Sequence, residues 1–293
     1  MPLVPEELAR LAPAVERPGI HLGVWRIDGK LSVWGVARTL PPYCFVLEVT
    51  SPGVLVIKHS QGEEASKFVN FAVLESNQVK LLDRHGATQT NRPALLAPLL
   101  GGGGPDAADS LGAFARLAVS MRAHECGGSL LVVPARSQAW RESVVLPIRY
   151  SVMPAFTRLA DMMRDPPSQR HSHIWQERLQ RVVEGIAGLT AVDGATIITD
   201  QYELLAFGAN IKRRDAANQV EEVVLTEPIE GSSPHVVHVV QLGGTRHLSA
   251  AQFVQDQRDA VALVASQDGR FTVFAWSSLQ DMVQAYRVEA FLL

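Results

Sequence analysis

The sequence has little cysteine, little excess charge and no long apolar run. Its 293 residues include only two cysteines, Cys44 and Cys126, and neither stands in a CxxC or Cys/His spacing typical of zinc sites. Two cysteines are also too few for a disulfide framework, so we expect a reducing, cytoplasmic location. A formal net charge of −3 argues against a protein that binds nucleic acid through a basic face. No apolar stretch approaches the roughly 18 residues of a spanning helix and the N-terminus has no secretory h-region, so we expect no membrane partner.

The common signatures of hydrolases, NTPases and zinc proteases are also missing. The chain has no GxSxG elbow, no P-loop and no HExxH motif. His171 and His173 have no third ligand in view, which favours a solvated loop over a metal site. His235 and His238 lie three apart on a predicted strand and should face opposite sides, so they are not expected to share a metal.

What the sequence does contain is enough apolar material for a sizeable core. Hydrophobic residues make up 47% and charged residues 19% of the chain. The glycine-rich segment from Leu99 to Ser110 predicts a domain boundary. We therefore expect a β-rich sensor or regulatory domain over residues 1–100 and a larger domain over residues 105–293.

The first half reads mostly as β-structure. Short apolar or alternating runs predict five strands, and Asp28-Gly29 and Ser51-Pro52-Gly53 predict turns between them. The aromatic side chains here can line a ligand pocket, but core and rim positions are favoured. The predicted strands are Ile20–Val24, Leu31–Val36, Cys44–Val49, Val54–Lys58 and Phe68–Leu74, and the aromatics are Trp25, Trp34 and Tyr43.

The second half alternates helical and strand patterns, which predicts an α/β domain with a central mixed β-sheet flanked by helices. Apolar residues at helical spacing predict two helices. The first carries Leu111, Phe114, Leu117, Ala118 and Met121, and the second carries Trp175, Leu179, Val182, Val183 and Ile186. Predicted strands are Ser129–Val133, Ala195–Ile198, Leu204–Phe207, Val236–Gln241, Ala260–Ala265 and Phe271–Trp276, followed by a last helix from Ser277 or Ser278.

The segment GGTRHLSAAQF, from Gly243 to Phe253, combines a flexible loop, a fixed positive charge and a predicted helix start. Helix N-termini offer unpaired N–H groups, and glycines allow a close approach, so this pattern suits an anion such as phosphate. Ser249 and Gln252 match a capping box and predict that the helix opens at Ser249. An ordinary strand-to-helix loop with a surface arginine is the alternative.

Two acidic turns are further candidates for the same chemistry. Asp193 begins the segment Asp193-Gly194-Ala195, where a carboxylate can hold a hard divalent cation next to a closely approaching ligand. The turn from Ser266 to Gly269 can add a hydroxyl and a carboxylate, that of Asp268. Each segment taken alone is more typical of an ordinary turn.

Taken together, these segments resemble the diadenylate cyclase (DAC) domain family. The family's signature is DGA followed by RHR, usually within GTRHRAA; the chain matches it with Asp193-Gly194-Ala195 and Gly244-Thr245-Arg246-His247, followed by Ala250-Ala251. The resemblance covers residues 111–276, and the first half resembles small β-rich sensor modules found ahead of some bacterial DAC domains. The family's second arginine is Leu248 here.

The resemblance implies an enzyme that joins two ATP molecules into cyclic di-AMP and releases two pyrophosphates, with two subunits facing each other. It implies Mg²⁺ or Mn²⁺ as the cofactor and a homodimer or higher homo-oligomer. The implied catalytic residues are Asp193, Arg246 and His247; the implied nucleotide-binding residues are Gly194, Ala195, Gly244, Thr245, Ser249 and Ser266; and the implied metal ligands are Asp193 and Asp268.

Leu248 replaces a cationic phosphate contact with an apolar side chain. Loss of one charged hydrogen bond typically costs about 1.5–3 kcal/mol. The basic segment Lys212-Arg213-Arg214 can compensate, or it can be a solvated hairpin tip. The alternative function is a catalytically inactive nucleotide-binding sensor on the same fold, and a third is an interaction scaffold that binds no nucleotide.

Overall fold

The computed structural model describes residues 1–15, 19–51, 53–60, 68–75, 78–83 and 107–293. These residues divide into two compact units, Met1–Phe71 and Ala72–Leu293. Most of the glycine-rich segment predicted as the domain boundary, residues 99–106, lies outside the described residues. The boundary between residues 100 and 105 therefore stays a prediction.

The chain begins with a helix and a β-hairpin. Helix α1 spans Pro5–Val15, and strands β1 (His21–Ile27) and β2 (Lys30–Ala37) pair antiparallel. Asp28 and Gly29 have φ angles of 50° and 80°, as the predicted two-residue turn requires. Four further strands form a second sheet in the order β3-β4-β5-β6: β3 Phe45–Ser51, β4 Val54–Ser60, β5 Phe68–Glu75 and β6 Gln78–Leu81.

The aromatic residues of this segment are not core residues. Trp25 is 64% exposed and Trp34 is 59% exposed, with their rings edge to face at 6.5 Å. Tyr43 is exposed as well. Core and rim positions were predicted, and the core part of that prediction is wrong for Trp25 and Trp34. Among the described residues, β1 and β2 form a sheet of two strands, which offers too few elements to enclose an indole ring.

The second unit is built on a nine-stranded mixed sheet. Its strands run in the order β12-β11-β15-β14-β13-β7-β9-β10-β8, and the pairs β7–β9 and β11–β15 are parallel. The strands are β7 Gly128–Val133, β8 Tyr150–Phe156, β9 Ala195–Thr199, β10 Leu204–Ala209, β11 Glu222–Thr226, β12 His235–His238, β13 Val261–Ala265, β14 Phe271–Ser277 and β15 Met282–Arg287. The helices are α2 Ala107–Ala123, α3 Arg158–Arg164, α4 Pro167–Arg170, α5 His173–Leu189 and α6 Thr245–Asp256.

Helices cover both faces of this sheet. Leu130 and Val132 of β7 pack in the apolar cluster that contains α2, α3 and α5. Leu131 and Val133, which point the other way, pack in the cluster that contains α6. The fold is therefore mixed α/β with a large mixed sheet between helical layers. No helix among the described residues is long and apolar enough to cross a membrane.

Three predicted elements differ from the observed ones, and six observed elements were missed. The predicted last helix is strand β15, whose alternate residues Val283 and Tyr286 enter the clusters on opposite faces of the sheet. The predicted strand Val236–Gln241 is β12, which ends at His238 and is followed by a 3₁₀ turn over Val239–Gln241. The helix predicted to open at Ser249 begins four residues earlier, at Thr245. The elements that were not predicted are strands β6, β8 and β11 and helices α1, α3 and α4.

Candidate functional site

One cleft in the second unit collects every residue singled out as a candidate site residue. The cleft has a volume of about 820 Å³ and lies among the start of β9, the end of β10, the start of α6 and the β13–β14 turn. The ten candidate residues that line it are Asp193, Gly194, Ala195, Gly244, Thr245, Arg246, His247, Ser249, Ser266 and Asp268.

Asp193 is held at the mouth of the cleft by a close crossing of two strands. Gly194 has a φ of 100°, and a Cβ atom built on it would lie 2.6 Å from the carbonyl carbon of Gly208. A side chain at position 194 would therefore push β10 away from the start of β9. The next residue, Ala195, is buried, whereas Asp193 is exposed to the cleft. The DGA sequence thus fixes one carboxylate at the edge of the sheet.

The N-terminus of helix α6 opens into the same cleft. Gly244 is the N-cap residue in an extended conformation, and the N–H of His247 donates to its carbonyl at 3.0 Å. The N–H groups that precede His247 at this helix start have no i−4 carbonyl within the helix, and they carry the positive end of the helix dipole. Thr245 and Arg246 belong to this turn and line the cleft. The arrangement suits an anionic group.

The predicted capping box is wrong, because Ser249 lies in the second turn of α6 and caps nothing. Gln252 instead binds the loop before β11: its Oε1 accepts from the N–H of Val220 at 2.9 Å, and its Nε2 donates to the carbonyl of Asn218 at 3.1 Å. Ser249 still lines the cleft from its place in the second turn. The helix begins earlier than predicted because Gly244 supplies the extended cap residue without a side-chain hydrogen bond.

Arg246 reaches across the cleft to the loop between α2 and β7. A Cβ atom on Gly127 would lie 2.6 Å from Nη1 of Arg246, so the guanidinium rests against the backbone of that loop. Gln267 braces the same loop, with its Nε2 donating to the carbonyl of Cys126 at 3.3 Å. The loop and Gln267 together form the wall against which the guanidinium lies.

His247 points away from solvent. It is 2% exposed, and burial lowers its pKa to about 4, although the nearby Asp268 opposes this shift. Its Nε2 lies 3.5 Å from the hydroxyl of Thr272, and its ring meets Phe274 edge to face at 6.1 Å. The ring is therefore neutral near pH 7, and it anchors the first turn of α6 to β14 without adding positive charge to the cleft.

The β13–β14 turn supplies the last two candidates. The N–H of Gly269 donates to the carbonyl of Ser266, and Nε of Arg122 in α2 donates to the carbonyl of Gly269 at 3.1 Å. Asp268 lines the cleft, with one carboxylate oxygen 3.4 Å from Nε of Arg270. The turn is thus held against α2 by a hydrogen bond. The Asp268 carboxylate is half-exposed and forms an ion pair with Arg270.

Sequence reasoning gave no role to three further residues that line the cleft, Ser129 of β7, Asn210 and Gln267. Ser129 lies in a predicted strand and Gln267 in the candidate turn Ser266–Gly269, but neither was singled out. A smaller cavity of about 160 Å³ meets the cleft at Asp193 and Asn210 and is lined on its far side by Arg149 and Tyr150. Asn210 directly follows β10 and carried no composition signal. Its position was predictable only from the pairing of β9 with β10.

The described residues show no ready-made metal cage, since no group of three or more His, Cys, Asp or Glu side chains is placed to hold an ion. Two carboxylates, those of Asp193 and Asp268, line the cleft. Mg²⁺ is commonly bound by one or two carboxylates together with the phosphates of a substrate. The donor set therefore fits a divalent cation that arrives with a phosphate ligand.

Comparison with known proteins finds a family similarity in the N-terminal segment. Residues 1–38, which include α1 and the β1–β2 hairpin, match the family described as "Probable sensor domain DACNV", a sensor associated with diadenylate cyclase domains. This match does not extend to the cleft. No curated protein matches the chain. Among solved structures, one described as the crystal structure of the hypothetical membrane spanning protein from Bacillus cereus shares 14% identity at a TM-score of 0.33, and the match covers 60% of this chain and 62% of that one.

Proposed function

We propose that the chain is a diadenylate cyclase that condenses two ATP molecules into cyclic di-AMP. The observation that carries this proposal is the meeting of two separate motifs, Asp193-Gly194-Ala195 and Gly244-Thr245-Arg246-His247, in one cleft. The match of residues 1–38 to a sensor family associated with such cyclases supports it independently.

The start of α6 binds the phosphates in this proposal. Thr245 and the first-turn N–H groups donate neutral hydrogen bonds, and Arg246 supplies a planar, permanent charge suited to phosphate oxygens. Ser249 and Ser266 add hydroxyl donors along the cleft. Phosphoryl transfer depends mainly on positioning and charge neutralisation, which is what these groups offer.

Asp193 acts at the reacting end of the nucleotide. In each of two steps the 3′-hydroxyl of one ATP loses its proton to water and its oxygen bonds to the α-phosphorus of the other. The bond from that phosphorus to the α,β-bridging oxygen breaks, and pyrophosphate leaves with the electron pair. The Asp193 carboxylate orients the attacking hydroxyl and, with Asp268, holds Mg²⁺ or Mn²⁺. The bound cation neutralises phosphate charge. Gly194 and Ala195 leave room for the nucleotide against the backbone.

The reaction requires two nucleotides held by two copies of the chain. Each subunit binds one ATP in its cleft, and the two clefts face each other, so the active form is a homodimer or a higher homo-oligomer. No nucleic acid or membrane partner enters the proposal.

A catalytically inactive nucleotide sensor is the second candidate. Leu248 favours it, because this apolar side chain packs against the α6-side core where the related motif carries an arginine. The pairing of Asp268 with Arg270 favours it too, since a carboxylate shared with a cation binds a metal less readily. The two functions differ in whether ATP is consumed or only bound.

Incubation of the purified chain with ATP and Mg²⁺ or Mn²⁺, followed by mass spectrometry, tests the proposal. We expect cyclic di-AMP and pyrophosphate from the wild type and none from Asp193→Asn, which keeps the side-chain shape and removes the charge. ATP binding without product at either metal would reject the cyclase in favour of the sensor. Absence of ATP binding would reject both.

A further inference from the structure

A third cavity adjoins the cleft, and its two cations, Lys212 and Arg213, have no role in the proposed reaction. It has a volume of about 330 Å³, and its lining includes Ile211, Lys212, Arg213, Leu248, Ser249 and Gln252. Ile211 and Ser249 also line the main cleft, so the two spaces are contiguous. A ligand that fills the cleft beside Ser249 can therefore extend into this cavity.

The cavity is positively charged. Lys212 and Arg213 line it, and none of the described residues in its lining carries a carboxylate. Over the part of the chain that the structure describes, neither side chain forms an ion pair. The neighbouring Arg214 differs, because its Nε lies 3.1 Å from Oε2 of Glu142. Two of the three consecutive cations are thus available to an anion, and the third is occupied.

The loop that carries these cations is held in place by backbone hydrogen bonds. The N–H of Lys212 donates to the carbonyl of Ser143 at 3.0 Å, and the N–H of Arg214 donates to Oδ2 of Asp256 in α6 at 2.8 Å. Farther along, the N–H of Val220 donates to Gln252 of the same helix. A loop fixed to α6 at two points loses less conformational freedom on binding than a free hairpin tip.

Leu248 leaves the helix itself without a cation on this side. Its apolar side chain lines the cavity two residues after Arg246, which places it on a different side of the helix. Among the described residues, positive charge in this cavity therefore comes only from the loop. We propose that Lys212 and Arg213 bind the outer, β- and γ-phosphates of ATP, while Thr245 and Arg246 bind the α-phosphate. This inference rests on the proposed nucleotide site and names the part of the substrate that the loop recognises.

Binding of 3′-deoxy-ATP and 3′-deoxy-AMP with Mg²⁺, measured by calorimetry, tests the assignment. These probes lack the attacking 3′-hydroxyl, so they are bound and not consumed. In the double variant Lys212→Ala with Arg213→Ala, we expect the Kd for 3′-deoxy-ATP to rise about tenfold, because charge-assisted hydrogen bonds to phosphate are lost. The Kd for 3′-deoxy-AMP should change less than about twofold. Arg214→Ala is the matched control and should leave both values unchanged.

The possible outcomes distinguish a failure of this inference from a failure of the proposed function. An equal loss for the two probes would mean that the loop contacts the nucleoside or the α-phosphate, which both probes carry. No loss for either probe would mean that the loop does not contact the nucleotide. Both results overturn the inference and leave the nucleotide site intact. Failure of the wild type to bind either probe would overturn the proposed function and the inference with it. The charge-reversed variant Lys212→Glu with Arg213→Glu should raise the Kd for 3′-deoxy-ATP further. A thermal melt of each variant confirms that the variant is folded.

Discussion

The guanidinium of Arg246 lies against the backbone of Gly127, so closely that a Cβ atom on Gly127 would stand 2.6 Å from Nη1. The same Cβ would lie 3.3 Å from the carbonyl oxygen of Ala265. Gly127 also has a φ of 68°, which side-chain-bearing residues rarely adopt. The absence of a side chain at position 127 therefore sets where the positive charge of Arg246 sits in the cleft.

Replacement of Gly127 by alanine should displace the Arg246 guanidinium and weaken phosphate binding. We expect the Kd for 3′-deoxy-ATP to rise about fivefold or more, since one charged hydrogen bond is weakened or lost. Calorimetry with Mg²⁺ present measures it. Gly231→Ala is the control, because Gly231 also has a positive φ of 81° but nothing within 4 Å of its Cβ position. Equal effects of the two changes would show that backbone strain, and not Arg246, is responsible.

Gly194→Ala should destabilise the second unit. The new Cβ would lie 2.6 Å from a backbone carbon of Gly208, and the φ of 100° adds strain, so we expect a loss of more than about 2 kcal/mol in the free energy of unfolding. Urea unfolding followed by circular dichroism measures the change. Gly185→Ala is the control. Gly185 lies within α5 and no atom lies within 4 Å of its Cβ position, so this substitution should leave the free energy of unfolding unchanged or raise it by about 0.5–1 kcal/mol. An unchanged midpoint for Gly194→Ala would contradict the close crossing.

The buried ring of His247 should make stability depend on pH. Its pKa is about 4 in the folded chain and about 6.5 when unfolded, so the unfolded chain takes up the proton first as the pH falls. The contribution of neutral His247 to the free energy of unfolding is complete above about pH 6.5. It decreases as the pH falls toward 4, by up to about 3 kcal/mol. Unfolding free energies measured across this window should fall more steeply for the wild type than for His247→Gln. Parallel curves would exclude a neutral buried imidazole.

Removal of the divalent cation should weaken nucleotide binding through Asp193. With EDTA in place of Mg²⁺, we expect the Kd of the wild type for 3′-deoxy-ATP to rise about tenfold, because the phosphate charges are no longer neutralised next to a carboxylate. Asp193→Asn should already bind weakly with Mg²⁺ and change little when EDTA is added. A full metal effect in Asp193→Asn would show that other groups hold the cation.

Much of the sheet was predictable because its central strands are short, apolar and bounded by turn residues. Ser129–Val133 and Ala195–Ile198 were found with errors of one residue at their ends. Strand β15 was missed because Val283 and Tyr286 face opposite apolar layers, so the segment lacks a one-sided pattern. Exposure of Trp25 and Trp34 depends on which strands pair, and composition does not carry that information.

The candidate site was predictable as a set of residues more than as a geometry. Short motifs indicated the residues that meet in the cleft, since each motif combines a charge with small neighbours. The burial of His247 was not foreseen, because it depends on β14 passing beneath the first turn of α6. The start of α6 was misassigned because a backbone cap at Gly244 leaves no side-chain signal.

Because of the close contacts at Gly127 and Gly194, these two positions should tolerate substitution less well than other positions around the cleft. A screen that varies every position should find these two glycines, which bear no reactive group, as intolerant as Asp193 or Arg246. Alanine scanning, designed to remove atoms, adds one at both positions and would report them as catalytic. Libraries that aim to alter the cleft's selectivity should therefore keep both glycines and vary Ser129, Asn210 and Gln267 around them.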